Sequence, residues 1–402
     1  MLKASTALLQ KFAIAIISLF LIIPRFQNVE YGVILLLIIF CLKFKIFWVP
    51  KPSRLFFILN IIAIIFTILS TLLHGELSVL YFLKPIRIIV VLYLLVNILN
   101  TYNITRSDVF TIIISVALIN GIFVYFQYFA GILGYTEYMN YGSAINIEKA
   151  SLYRKTGLMT GYPTAGILSL FGLISIFYLQ PKQKTVLKAV LVLFLLGATF
   201  LTSRTGLYLA IIIIPFYLLK HKTITYSIIG LILFTTTFFF NIVAQDVIIY
   251  DKIKTSSVLM FEVFTNYEKS GTISTRSTNS LLKYHYFSPQ NIFNLIFGNN
   301  ETQYSHSFST KISDVFYVRI LNGAGIVILI LYLLMFSQMF IYAGRALNKW
   351  CNLFSLTIYI IVGVTSFKGS YIFAKTIGDI SLLVFASDLI VLSKKHENYI
   401  SN

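Results

Sequence analysis

Leu55-Phe-Phe-Ile-Leu-Asn-Ile-Ile-Ala-Ile-Ile-Phe-Thr-Ile-Leu-Ser-Thr-Leu-Leu73 is a run of nineteen residues without a charge. At about 1.5 Å per residue, a helix of this length crosses roughly 30 Å of hydrocarbon. A barrel strand would be about half as long and would alternate in polarity, which this run does not. Lipid offers the backbone no water, so a spanning segment must satisfy its own N–H and C=O groups as a helix.

Comparable runs lie on both sides, at about 7–23, 29–47, 81–99, 108–133, 160–179, 186–201, 205–220, 223–243, 313–343, 351–367 and 371–392. With 55–73 they predict an all-α fold: a polytopic transmembrane helical bundle of about twelve spans. Residues 1–402 form one membrane domain in this reading. Composition agrees, since 58% of the residues are hydrophobic and 11% are charged. A soluble domain carries about 25% charged residues, which this chain cannot match.

The net charge of +18 raises the question of nucleic acid, and its distribution answers it. One alternate set of loops holds Lys43, Lys45, Lys51, Arg54, Arg106, Lys182, Lys184 and Lys188. Lys220, Lys222, Arg345, Lys349, Lys394 and Lys395 belong to the same set, whereas Glu30, Glu76, Glu137 and Glu148 lie in the other. This is the positive-inside bias; it places the basic loops and both termini in the cytoplasm. No role in binding nucleic acid is expected.

Several chemistries drop out. The first span is followed by no small-residue cleavage site, so it reads as an anchor. Cys41 and Cys351 both fall near cytoplasmic ends, which argues against a structural disulfide. The histidines show no paired metal-ligand spacing, and no phosphate-binding glycine loop occurs, so neither a metal nor another cofactor is expected. No inverted repeat of broken helices points to a secondary transporter.

Two extracytoplasmic segments, about 134–159 and 244–312, are too long for plain connectors. The second carries amphipathic stretches such as Ser280-Leu-Leu-Lys-Tyr-His-Tyr-Phe287 and Ile292-Phe-Asn-Leu-Ile-Phe297. These predict short helices at the lipid interface.

Cations on the outer side are the informative residues. Arg204 sits in Leu201-Thr-Ser-Arg-Thr-Gly206, a short hairpin where positive charge opposes the topological bias. Ser203 is placed to cap the next helix, whose first N–H groups then suit a phosphate or pyrophosphate beside Arg204. The alternative is an arginine that snorkels to lipid headgroups. Arg154 and Lys155 precede a tight return to the membrane at Gly157, Gly161 and Pro163, where a basic anchor is the competing reading. Arg319 lies inside the start of a span, five residues after Asp314 and so on a different face. A charge at that depth is expensive without a partner or a wet cavity, so a functional role is expected. Lys375 and Asp379, four apart on the last span, are expected to form a structural pair.

Together these features resemble the O-antigen polymerase and O-antigen ligase families of bacterial membrane proteins. The resemblance rests on Arg154-x-x-Gly157 with Pro163, on Thr202-Ser-Arg-Thr-Gly206, and on the long loop followed by Ser313-Asp314 and Gly323-x-Gly325. It covers about residues 150–345. Ligases tend to end the long loop with a His-Asn pair; here Ser307 follows His306, which is more similar to a polymerase.

The resemblance implies a glycosyltransferase that joins undecaprenyl pyrophosphate-linked repeat units at the outer face of the bacterial cytoplasmic membrane. The product would be an O-antigen, capsule or exopolysaccharide. The pyrophosphate is already a good leaving group, so ATP and metal are not required. Arg204, Arg319 and Arg154 would stabilise its developing charge. Arg204 and Arg319 are expected to face one extracytoplasmic cavity. The acceptor hydroxyl needs positioning and a base, for which His306 and Asp314 both qualify. Lys155, Ser203, Thr205 and Arg276 complete the set expected to bind substrate. The lipid bilayer, a chain-length regulator and a flippase are the implied partners; ligase and flippase are the alternative activities.

Overall fold

The structure is a computed structural model that describes residues 2–23, 30–42, 50, 53–74, 79–138, 154–159, 161–178, 185–218, 262–271, 275–289, 291–299, 315–345 and 349–400. Among these residues all regular structure is helical, and no strand occurs. The α-helices are α1 (Leu2–Ile22), α2 (Tyr31–Leu42), α3 (Arg54–His74), α4 (Val79–Thr101), α5 (Arg106–Ile132), α6 (Tyr162–Tyr178) and α7 (Thr185–Thr202). They continue as α8 (Arg204–Leu218), α9 (Glu262–Ser270), α10 (Arg276–Tyr284), α11 (Ile292–Phe297), α12 (Phe316–Arg345), α13 (Lys349–Thr365) and α14 (Ile377–Ile400). The expected span at 223–243 lies outside the described residues.

Among the described residues, four helices, Arg54–His74, Leu83–Thr101, Arg106–Ile132 and Phe316–Arg345, are long and apolar enough to cross a membrane. Shorter apolar helices accompany them, including Tyr162–Tyr178, Val186–Thr202 and Arg204–Pro215. Together they make the chain a multi-pass membrane protein. Helix α3 shows the logic. Ile58, Ile65 and Leu72, seven residues apart, are 51%, 60% and 74% exposed, while Asn60, Thr67 and Ser70 are buried. An apolar face turned outward and small polar residues turned inward are what a lipid-facing helix requires. Two of these side chains donate to their own helix one turn back: Thr67 Oγ1 to the Ala63 carbonyl at 2.7 Å and Asn60 Nδ2 to that of Phe56 at 3.2 Å.

The chain divides into two compact units. One comprises Met1–Ala13, Leu36–Thr105 and Arg276–Asn402; the other comprises Ile14–Leu35 and Arg106–Thr275.

In the second of these, α6 packs against α5, α7 and α8. It is buried without a break from Ala165 to Phe177. A helix apolar on all sides is stable only where neighbours cover it all round. Glycines set the spacing. A Cβ on Gly206 would stand 2.9 Å from the backbone of Gly166, so α8 meets α6 main chain to main chain.

In the other unit α12 packs against α3, α11, α13 and α14, and α4 against α3 and α14. Helix α12 is interrupted at Gly325, whose φ of 86° and ψ of 170° no side-chain-bearing residue adopts comfortably. The break frees the Asn322 carbonyl to accept the Asn299 N–H at 2.8 Å, and α11 docks against the kink. Ser70 Oγ adds a bond to the Phe297 carbonyl at 2.8 Å. Both amphipathic stretches of the long segment therefore contribute helix, as α10 and α11. The last span expected from 371 instead begins at Ile377. Phe373 and Thr376 ahead of it hold left-handed backbone, with φ of 54° and 66°, which breaks the helix there.

Candidate functional site

The unit built on α5–α9 brings five of the nominated residues together around the junction of α7 and α8. Helix α7 ends at Thr202, leaving its last carbonyls without helical partners. The Leu201 carbonyl accepts two of the neighbouring loop's amides, Arg154 N–H at 3.1 Å and Lys155 N–H at 3.0 Å. This pair of hydrogen bonds to one oxygen accompanies a left-handed Arg154, φ 73°. Such backbone in a residue with a side chain costs about 1–2 kcal/mol and persists only where its surroundings enforce it.

Helix α5 supplies the other half of that enforcement. The Gln127 amide pairs with both backbone groups of Gly157, donating to its carbonyl and accepting its N–H, each at 3.0 Å. Asn120 Oδ1 accepts the Leu158 N–H at 2.8 Å. Gly157 is left-handed, φ 60°, and a Cβ there would collide with Asn120. The loop carrying Arg154 and Lys155 is thus fastened to two helices at once.

Ser203 caps α8 as expected, its Oγ accepting the Gly206 N–H at 3.0 Å. Arg204, the first residue of α8, is 6% exposed, and Thr205 beside it is half-buried. An Nη of Arg204 is engaged by the carboxylate of Glu262, the first residue of α9. Its Nε is buried with no hydrogen-bond partner among the described residues. Lys155 is 2% exposed, and burial pushes its ammonium down to about 8. Two buried cations, the half-buried Arg154 and a capped helix N-terminus thus share one corner, with Glu262 as the acid bound there. Such a group suits a multiply charged anion such as phosphate or pyrophosphate.

Arg319 belongs to the other unit, half-buried in the first turns of α12. Its carbonyl accepts the Tyr81 hydroxyl of α4 at 3.4 Å. One turn along α4, the Lys84 ammonium lies over the rings of Phe316 and Tyr332, 4.9 and 5.4 Å from their centroids. One turn further, Arg87 donates to Asp379 Oδ2 at 2.7 Å. The same oxygen accepts the Thr376 N–H at 3.0 Å and so caps α14 from its third position. Spacing on the last span pointed to Lys375 as the partner of Asp379. The hydrogen-bonded cation is instead Arg87, which tertiary packing delivers from α4. Arg276, in this same unit, begins α10. His306 and Asp314 lie outside the described residues.

Glu262, Gln127, Asn120, Lys84 and Arg87 were not nominated from sequence. A signal existed for the last two, because cations three apart inside an apolar run demand an explanation. None existed for Glu262, whose meeting with Arg204 depends on long-range folding. Among the described residues, no group of His, Cys, Asp and Glu side chains is arranged to hold a metal ion. No family model and no curated protein matches the chain.

Proposed function

We propose that this protein is a bacterial polysaccharide polymerase of the cytoplasmic membrane, with about twelve spans and both termini in the cytoplasm. It transfers a growing glycan from undecaprenyl pyrophosphate to a second lipid-linked repeat unit at the outer face. In the reaction the acceptor hydroxyl oxygen attacks the anomeric carbon and its proton passes to a base. The bond from that carbon to the pyrophosphate oxygen breaks, and the lipid pyrophosphate leaves with the electron pair. His306 and Asp314 remain the candidates for the base.

One observation carries this reading: Arg204, buried beside the Ser203-capped start of α8, shares its corner with Arg154 and Lys155. Charge develops on the departing pyrophosphate as the bond breaks. Fixed cations and helix N–H groups held in a low-dielectric corner stabilise that charge more than they stabilise the bound donor. Their placement fits a reaction that needs no nucleotide, because the donor brings its own leaving group.

The test is the glycan profile of cells lacking the gene, alongside Arg204→Lys at matched membrane expression. Lipid-linked single repeats in the deletion strain support a polymerase. Long chains left unattached to their final acceptor would instead identify a ligase, and repeats trapped in the cytoplasm a flippase. A lysine cannot reproduce the bidentate fork of a guanidinium. Arg204→Lys should therefore slow polymerisation by roughly a hundredfold, the effect of losing about 3 kcal/mol of electrostatic stabilisation. Long chains at normal yield from that variant would sink the clamp.

A further inference from the structure

We infer that Gln127 is a positioning residue of the anion corner: through the backbone of Gly157 it fixes Lys155 and Arg154 beside Arg204 before any ligand arrives. The inference rests on the reading of that corner as a pyrophosphate site and gives α5 a part in it.

The geometry lies within one unit. Asn120 and Gln127, seven residues apart, share one face of α5 and are 0% and 1% exposed. The Gln127 amide answers both backbone groups of Gly157, and Asn120 Oδ1 accepts the next N–H, that of Leu158. On the other side, the Leu201 carbonyl at the end of α7 accepts the Arg154 and Lys155 amides. Residues 154–158 are therefore a strap with one end on α7 and the other on α5. The Thr156 carbonyl accepts the Met159 N–H at 3.1 Å, a turn that keeps the strap short. Lys155 and Thr156, each 2% exposed, are the residues it turns inward.

The cost of this arrangement argues for function. Both ends of the strap are left-handed, at Arg154 and at Gly157, and the first does so against the preference of a residue with a side chain. Asn120 gives its oxygen to Leu158 while its Nδ2 stays buried with no hydrogen-bond partner among the described residues, an unfavourable state for an amide. A lysine kept only as a membrane anchor would lie at the surface, with its stem extended and its ammonium in water. Here the fold buries it in a corner that already holds Arg204. Like charges separate when they are free to move, so a fixed backbone is what keeps them together.

Fixed cations suit the proposed reaction. Groups already in place stabilise the charge that develops on a departing pyrophosphate without reorganising. The Gln127 side chain matches its task, since an amide offers one donor and one acceptor to one C=O and one N–H. A methionine fills similar space and offers neither. A carboxyl offers both only while it carries a proton; once ionised, it turns a negative oxygen towards the Gly157 carbonyl.

The experiment is calorimetric titration of inorganic pyrophosphate into the full-length protein in phosphatidylcholine nanodiscs at pH 5, 7 and 9, with polymerisation assayed alongside. At pH 7, Gln127→Met should weaken binding about tenfold and lower kcat by a larger factor than it raises the donor KM. Between pH 7 and 9 it should follow the Lys155→Arg profile, because a Lys155 released to solvent keeps its proton over that range. The charged and titratable groups about Lys155 are Arg154 on the strap, Arg204 on α8 and Glu262 on α9. Tyr125 and Tyr128 lie on α5, Tyr162 begins α6 and Lys188 is on α7. Lys155→Arg separates their titration from that of Lys155 itself. Gln127→Glu decides the matter even where Gln127→Met does not fold. It should bind nearly as wild type does at pH 5, where the new carboxyl takes up a proton, and at least tenfold more weakly at pH 7, where it releases it. Recovery when the same sample returns to pH 5 shows that this variant is folded. A wild-type affinity and pH profile in Gln127→Met, or a defect in Gln127→Glu that is the same at both pH values, would overturn the inference and leave the pyrophosphate reading standing. No binding by wild type would sink both.

Discussion

The guanidinium of Arg204 is held by the carboxylate of Glu262, so the first residue of α8 and the first residue of α9 are joined as an ion pair. A phosphate arriving at Arg204 has to share or displace that carboxylate. Glu262→Gln keeps the shape and removes the competing charge. Binding of inorganic pyrophosphate, followed by titration calorimetry, should tighten about tenfold, equivalent to about 1.4 kcal/mol. Unchanged affinity together with a lower Tm would show that the pair only fastens α9.

Lys155 gives the same corner a pH dependence. Its folded value of about 8 lies below its ordinary 10.5, because burial penalises the ammonium. The unfolded chain therefore holds the proton that the folded chain releases between these values. The burial penalty is fully present below about pH 8 and is relieved as pH rises towards 10.5, so this residue makes stability climb over that window. Anion binding moves the other way, weakening as the ammonium discharges above pH 8. Pyrophosphate affinity should fall severalfold from pH 7 to pH 9 in wild type and stay flat in Lys155→Arg. Parallel profiles would exclude Lys155 from the site.

Close approach of α6 and α8 makes Gly206 intolerant of even one methyl group. In Gly206→Ala the new Cβ meets the Gly166 backbone, which cannot rotate aside as a side chain can. Overpacking of this kind costs about 1–3 kcal/mol, and it would also move the Ser203 cap and Arg204. Lower Tm and shortened glycan chains are expected. Normal values for both would mean that the helices separate freely at this crossing.

Asp379 has two partners that differ in kind, a cation on α4 and a backbone amide at the start of its own helix. Removing one member of a buried pair typically costs about 3–5 kcal/mol. Asp379→Ala should therefore remove most protein from the membrane on an expression blot. Exchanging Lys375 and Asp379 should not rescue it, because a lysine at 379 can neither accept the Thr376 N–H nor pair with Arg87. Near-normal expression of the exchange would restore the helical pair that spacing alone suggests.

Topology is open to a direct check. Ser270, at the exposed end of α9, belongs to the segment that we propose lies outside, from the distribution of Lys and Arg. A single cysteine there should react with a membrane-impermeant maleimide on intact cells, with the outer membrane permeabilised if one is present. Labelling of Lys182→Cys instead would invert the arrangement.

The fold class was legible in the chain itself. Backbone groups in lipid have a single local solution, so the run from Leu55 to Leu73 dictates a helix whatever surrounds it, and α3 spans that run. The capping role of Ser203 was legible for a related reason, since its partner Gly206 is three residues away. Interactions within a turn or two of helix depend on sequence spacing alone.

Tertiary structure decided everything that joins distant segments. Nothing in the spacing of Arg204 and Glu262, or of Arg87 and Asp379, marks them as pairs. Each pair forms because helix packing brings two charges into a low-dielectric place where leaving either alone is costly. The same holds for Gln127 and Gly157, and for the Asn322 carbonyl that the kink at Gly325 turns towards Asn299. Hydropathy selects which segments are helices, because transfer to lipid is summed over a run of residues. It carries no record of which faces meet, because that choice is made by side-chain shape and paired charge across helices.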